Sequence, residues 1–274
     1  MPTLRSLAAL SALALFAATA AAQNTYTWQP SGSGNWNVGA NWLDLSNNAG
    51  VPLSANNTTL AFGGTTSYTA TNDIGAFTAN ALTFSGSGAK TIAGTNVLTL
   101  GGTTPAISLA ADSGAVTISS PVTFSTSSTV TNNSSSLFTL GTGAVSLGTT
   151  SLTIGGTGNT TISGIISGTA TNAITKTGTG TLTLSGVNTY TGTTVINGGL
   201  VVVTGANSLG AATADVTING GTLRATAAFG TIDNGSRVIT IGSAGATFEN
   251  TLDISSNGSG WAGSGTLTKP AVGN

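Results

Sequence analysis

The sequence contains no histidine and no cysteine, its only methionine is Met1, and just 13 of its 274 residues carry formal charge. An average domain is charged at roughly a quarter of its positions. Each absence excludes a class of chemistry. Without imidazole or thiol there is no His or Cys base or nucleophile, no His or Cys metal site, no disulfide framework and no haem held by either residue. Three Lys and three Arg cannot neutralise many phosphates, so a basic nucleic-acid face is excluded as well. What fills the chain instead is Gly (40), Thr (52), Ser (31) and Asn (23), more than half of all residues.

Residues 1–22 read as a secretory signal peptide. A short start (Met1-Pro2-Thr3-Leu4-Arg5) carries one positive charge, an apolar stretch runs from Leu7 to Ala18, and Ala20-Ala21-Ala22 offers a small-residue cleavage pattern before Gln23. A bilayer-spanning helix needs about 20 strongly apolar residues, and this segment is shorter and mostly Ala. No later stretch has the length to span a membrane as a helix, so the mature chain is expected to be exported, to the cell surface or medium, without a span of its own.

A Gly/Ser/Thr/Asn-rich chain can be a flexible linker, but disordered chains combine low hydrophobicity with high net charge. Here 39% of residues are apolar and the net charge is −1. The apolar residues are also ordered in short alternating runs, among them Leu82-Thr83-Phe84, Leu98-Thr99-Leu100, Val116-Thr117-Ile118, Leu152-Thr153-Ile154 and Leu182-Thr183-Leu184. Each alternates with Thr and is closed by Gly, Ser or Asn, the signal of a strand between turns. The fold class is therefore all-β.

Internal similarity sets the architecture. A block x-Leu-Thr-[Phe/Leu/Ile]-[Ser/Gly]-Gly begins at Ala81, Val97, Ser151 and Thr181. Val195-Ile196-Asn197-Gly198-Gly199-Leu200-Val201-Val202-Val203 also resembles Thr217-Ile218-Asn219-Gly220-Gly221-Thr222-Leu223-Arg224-Ala225. Repeats of roughly 20 to 30 residues indicate stacked units. The expected fold is a parallel β-helix, a solenoid preceded by the signal peptide, right-handed because crossover connections prefer that hand. A β-sandwich explains the short strands but not the matched Asn-Gly-Gly corners. The second pair assigns faces: Ile196/Ile218, Val201/Leu223 and Val203/Ala225 point inward, whereas Leu200/Thr222 and Val202/Arg224 point outward, since Arg224 needs water. Asn197 and Asn219 should stack at one corner, where their side chains can hydrogen-bond along the rod.

From Ile174 the chain reads Lys176-Thr177-Gly178-Thr179-Gly180-Thr181-Leu182-Thr183-Leu184-Ser185-Gly186-Val187-Asn188-Thr189-Tyr190-Thr191-Gly192-Thr193-Thr194, with Gly199 following. This segment, 174–203, resembles the autotransporter-associated β-strand repeat, also called the passenger-associated transport repeat. Leu200 departs mildly from the family pattern. The resemblance implies a β-helical passenger segment of an exported bacterial surface protein, with an outer-membrane translocator barrel as partner. No such barrel is recognisable after residue 203. Gly265-Thr266-Leu267-Thr268-Lys269 looks like the opening of another copy, broken at Pro270. Lys176 reads as a structural marker exposed at a coil edge, and Tyr190 as a side chain packed on a neighbouring coil.

Residues 23–60 form a separate Trp/Asn-rich region holding Trp28, Trp36 and Trp42, ahead of a solenoid over 61–274. These indoles admit two readings, a cap over the open apolar end of the solenoid or a platform for a surface glycan. Of the seven carboxylates, only Glu249 and Asp253 lie close enough in sequence to share a strand face. A glycosidase needs two carboxylates about 5 to 10 Å apart, and a solvated face is the simpler explanation. The expectation is a non-enzymatic stalk or scaffold, with no catalytic, cofactor-binding or metal residue; the alternative is an adhesin or glycan-binding module using the Trp cluster or a flat Thr-rich face.

Overall fold

The computed structural model describes residues 23–29, 31–141, 143–169, 174–226, 236–249 and 261–268. The proposed signal peptide, Asp253 and Lys269 lie outside these residues. The chain winds into a β-solenoid whose strands stack in three sheets of twelve, eleven and five strands. Beyond the first turn, strands of the first sheet start at Thr58, Ala81, Ala106, Ser128, Leu152, Ile174, Thr194, Val216, Ile239 and Trp261, 20 to 25 residues apart. Each pairs in parallel with the strand one coil away, for example Leu82 with Ile107 and Ile107 with Val130. The stacked-coil expectation therefore holds. The x-Leu-Thr block, however, is not the coil period, since its copies fall on the first sheet (Ala81–Phe84), the third (Leu98–Leu100) and the second (Thr181–Leu184). It encodes a strand and its corner, whichever face that strand joins.

Alternation in the sequence becomes columns in the core. Leu60, Leu82, Ile107, Val130 and Ile154 stack on the inner side of the first sheet. On the second, Ala70, Ile92, Ile118, Leu140, Ile162 and Leu184 do the same. All of them are buried. Ile196, Ile218, Val201, Leu223, Val203 and Ala225 are buried as expected, and Arg224 faces outward. Val202 stands in the outward row as expected, between Thr183 and Arg224, although it is only 8% exposed. The two Asn-Gly-Gly corners do stack, but Asn219 Oδ1 accepts from the Ala244 N–H of the next coil at 3.0 Å rather than bonding Asn197.

At the first end, strand Asn24–Trp28 runs parallel to Thr58–Phe62 and antiparallel to Trp42–Asp44. The antiparallel strand ends the ladder, and the indoles close the core behind it. Trp36 and Trp42 are fully buried and Trp28 nearly so. Their rings meet edge-on, Trp28 to Trp42 at 4.9 Å and Trp36 to Trp42 at 5.6 Å, and Trp42 lies 5.5 Å from Phe62, which stacks on Phe84.

Because each column is closely packed, truncating one member leaves a cavity. Phe138→Ala, on the second sheet, is expected to lower stability by about 3–5 kcal/mol, while Thr139→Ala beside it, pointing outward, should change it by less than about 0.5 kcal/mol. Urea denaturation of the two variants checks this.

Candidate functional site

The segment singled out in the sequence, 174–203, occupies one coil and the start of the next. Ile174–Lys176 joins the first sheet and Thr181–Leu184 the second, with the Gly-containing corner between them. Alternation places Ile174 and Lys176 on the same side of their strand, which is the inside. Lys176 stands in the aliphatic column between Ile154 and Ile196 and is 2% exposed. The sequence reading placed it at an exposed edge, and the register overturns that. Its ammonium turns back into the corner and donates to the Thr177 carbonyl and, at 3.0 Å, to the Gly178 carbonyl. Gly178 has φ +66°, which carries the chain round this corner, and a Cβ there would lie 2.4 Å from the Gly156 carbonyl oxygen. In the next coil a Cβ on Gly199 would come within 2.8 Å of Lys176 Nζ. The Lys and the Gly residues are thus one construction: a cation under a turn whose carbonyls point inward.

Two other buried cations repeat the device. Lys90, 1% exposed, donates to Gly86 O at 2.5 Å and Gly88 O at 2.6 Å, reaching the same kind of corner from the far side of the turn. Arg237, fully buried, donates to the carbonyls of Ala214, Leu209, Gly210 and Ala211 around the short helix Ala206–Leu209. Several of these carbonyls are thereby given a donor at a buried corner; those of Gly86 and Ala211 also accept a backbone N–H, from Gly114 and Ala214. Burial pulls the pKa of Lys176 below its ordinary value, and that of Lys90 likewise, against the opposing pull of Asp112.

After Leu184 the third sheet has no strand in this coil, its last being Ile166–Ser167. Side chains take over the stacking. Asn188 Oδ1 accepts from the Ile166 N–H of one neighbouring coil at 2.8 Å, and its Nδ2 donates to Ser208 O of the other at 2.6 Å. Tyr190 is fully buried, its hydroxyl 2.7 Å from Thr194 Oγ1, and its carbonyl accepts from Ala211 N–H. This is the packing on a neighbouring coil expected for Tyr190. Burial pushes its phenol up to about 12, with the Thr194 hydrogen bond and the Arg237 charge opposing.

The described carboxylates are likewise engaged in local structure. Asp73 accepts from Asn37 N–H, Asp112 from Gly86 N–H and Asp215 from Val238 N–H, each linking separate turns. Asp44 bonds Ser46 and Asn48, and the Asn48 backbone N–H is the largest cause holding it below the usual carboxylate value. Glu249 forms an ion pair with Arg224 of the preceding coil. Among the described residues no three acidic side chains gather where a metal ion could be held.

Residues 174–203 match the family model of the passenger-associated-transport-repeat. The match covers one coil and part of the next, and every repeat residue discussed above lies within it. Comparison with curated proteins and with solved structures found no match. No helix among the described residues is long and apolar enough to cross a membrane.

Replacing Lys176 by Met keeps the stem but deletes the donor. It is expected to cost about 1–3 kcal/mol by leaving buried acceptors unpaired. A pH arm separates the charge from the packing. Between the lowered folded pKa and the ordinary value of 10.5, the unfolded chain binds more protons than the folded one, so stability rises with pH. That rise should be smaller in Lys176→Met, measured by urea midpoints up to about pH 9.5, below the range where tyrosines ionise. Above it the sign reverses: Tyr190 ionises near 10 when unfolded and near 12 when folded, so stability falls over that window.

Proposed function

We propose that this chain is a structural, non-enzymatic segment of the autotransporter passenger type, a surface stalk whose coil-by-coil folding aids its own export. The observation that carries the reading is the use made of the repeat residues. Asn188, Tyr190 and Thr194 join one coil to the next, Lys176 braces the corner of its own coil and Gly199 lets the next coil pass close over it, and none of them lines an open site. Contacts between stacked coils are local, so folding can advance along the rod one coil at a time. A chain emerging from a membrane channel could fold in that order, and each completed coil would hinder its return. In this reading residues 1–22 direct export across the inner membrane, 23–60 cap the rod, 61–274 form its body, and an outer-membrane translocator barrel is the partner.

The experiment is surface display. The chain, fused ahead of an outer-membrane translocator barrel, should become accessible to external protease on intact cells. Asn188→Ala and Tyr190→Ala should each slow that appearance several-fold at equal synthesis. Equal rates for all three would remove the export role.

A second reading, a glycan-binding module, draws on one feature. Thr69, Thr91, Thr117, Thr139, Thr161 and Thr183 form an outward row on the second sheet. The burial of Trp28, Trp36 and Trp42 takes away its other support. With Trp261→Phe removing the fourth indole, emission should be blue-shifted, protected from acrylamide and indifferent to glycans. Emission that shifts on adding a glycan would favour the second reading.

A further inference from the structure

The outer side of the third sheet differs from the other two faces. Its outward residues form two rows along the rod. One is Thr78, Thr99, Thr123, Ser146 and Ser167, set side by side by the strand register. The other lies two residues earlier in each coil: Ala76, Val97, Pro121, Ala144, Ile165 and, in the repeat coil, Val187. The ladder bonds Phe77 N–H to Val97 O, Leu98 N–H to Pro121 O, Val122 N–H to Ala144 O and Val145 N–H to Ile165 O fix that alignment. Asn188, bonded to Ile166 N–H, carries it on to Val187. The row is apolar throughout and open to water: Val97 is 38% exposed, Ile165 52% and Val187 64%. No charged residue occurs anywhere in 76–80, 97–101, 121–125, 144–148, 165–169 or 187–193.

We propose that this ridge is a lateral contact between two copies of the chain, lying side by side with the third faces together. Period argues for a second copy. The ridge repeats once per coil, about 4.8 Å, and a partner of any other spacing drifts out of step within a few coils. A second copy has the same spacing by identity, so side chains of both faces can interdigitate along the whole length. Charge argues the same way. Two neutral faces meet without repulsion and without stripping water from an ion. Area sets the strength. Six coils give a strip about 25 Å long, and with a width near 15 Å it buries about 400 Å² per copy, roughly half of what a stable dimer needs. Two such chains therefore associate weakly, and added coils would strengthen the contact through avidity. The proposal stands apart from the export role, since it depends only on the finished rod.

Sedimentation equilibrium of the full chain tests it. The weight-average mass should climb from one chain toward two as the concentration rises from micromolar to about 1 mM, and sulfate should strengthen the effect. Val97→Asp/Ile165→Asp puts charge on the ridge at two well-separated coils and should shift the midpoint at least tenfold upward. Ile165→Thr/Val187→Thr, which restores the hydroxyl pattern of the other faces, should shift it in the same direction by less. Thr117→Asp on the second sheet should leave it unchanged, with circular dichroism confirming that every variant is folded. Mass independent of concentration would overturn the proposal. So would association that the ridge variants leave intact, because it would then run through the rod ends or residues 1–22. Ridge-dependent retention on a neutral polysaccharide by a chain that stays monomeric would assign the face to a glycan and overturn it too.

Discussion

A parallel strand can satisfy its backbone only with the strands of the coils on either side of it, and that constraint governs the rest of this molecule. Every coil has to arrive at the same height and angle as its neighbours, because an N–H or C=O that misses its partner is left buried and unpaired. Coil length can vary between 20 and 25 residues as long as the corners absorb the difference. The side chains follow. Inward positions of successive coils are forced into columns, so a residue's environment is set less by its neighbours in sequence than by residues one coil away.

Corners are where the ladder lapses, and they explain how so few charges are distributed. A tight turn at Gly178 or Gly86 aims carbonyl oxygens at the interior. Hydrophobic columns cannot answer them, and a donor must be brought in. Lys176, Lys90 and Arg237 do this, each donating to several carbonyl oxygens at once. Asn188 solves the related problem where the third sheet has no strand, with an amide that both donates and accepts. In this light the repeat motif encodes the conditions for stacking a coil that is shorter than its neighbours.

Much of this was legible in the residues themselves. Period-two alternation identified the strands, and the paired Asn-Gly-Gly blocks identified the stacking and the faces of Ile196, Val201 and Val203. Three details came out differently. Lys176 was placed outside because a lone charge usually seeks water, although its parity with Ile174 already put it inside. Val202 does stand in the outward row with Arg224, although parity did not show that it would be only 8% exposed. Asn219 was expected to bond its own kind, yet the nearer donor was the Ala244 N–H across the corner. For Asn219 a local preference met a partner supplied by another coil, and for Lys176 the carbonyls of its own corner served a buried charge.

Alternation, turn residues and the near absence of charge are properties of short stretches, and short stretches determine strands, corners and a solenoid built from them. The chemistry that the missing His and Cys exclude was equally settled by composition. Only the tertiary structure decided which face each strand joins, since the same x-Leu-Thr block serves three sheets. It alone brought the apolar residues before the third-sheet strands, some 20 residues apart in the chain, into one exposed ridge. The physical reason is that register between coils depends on how many residues each corner consumes, and a corner's path is set by the carbonyls, glycines and cations of the coils stacked on it.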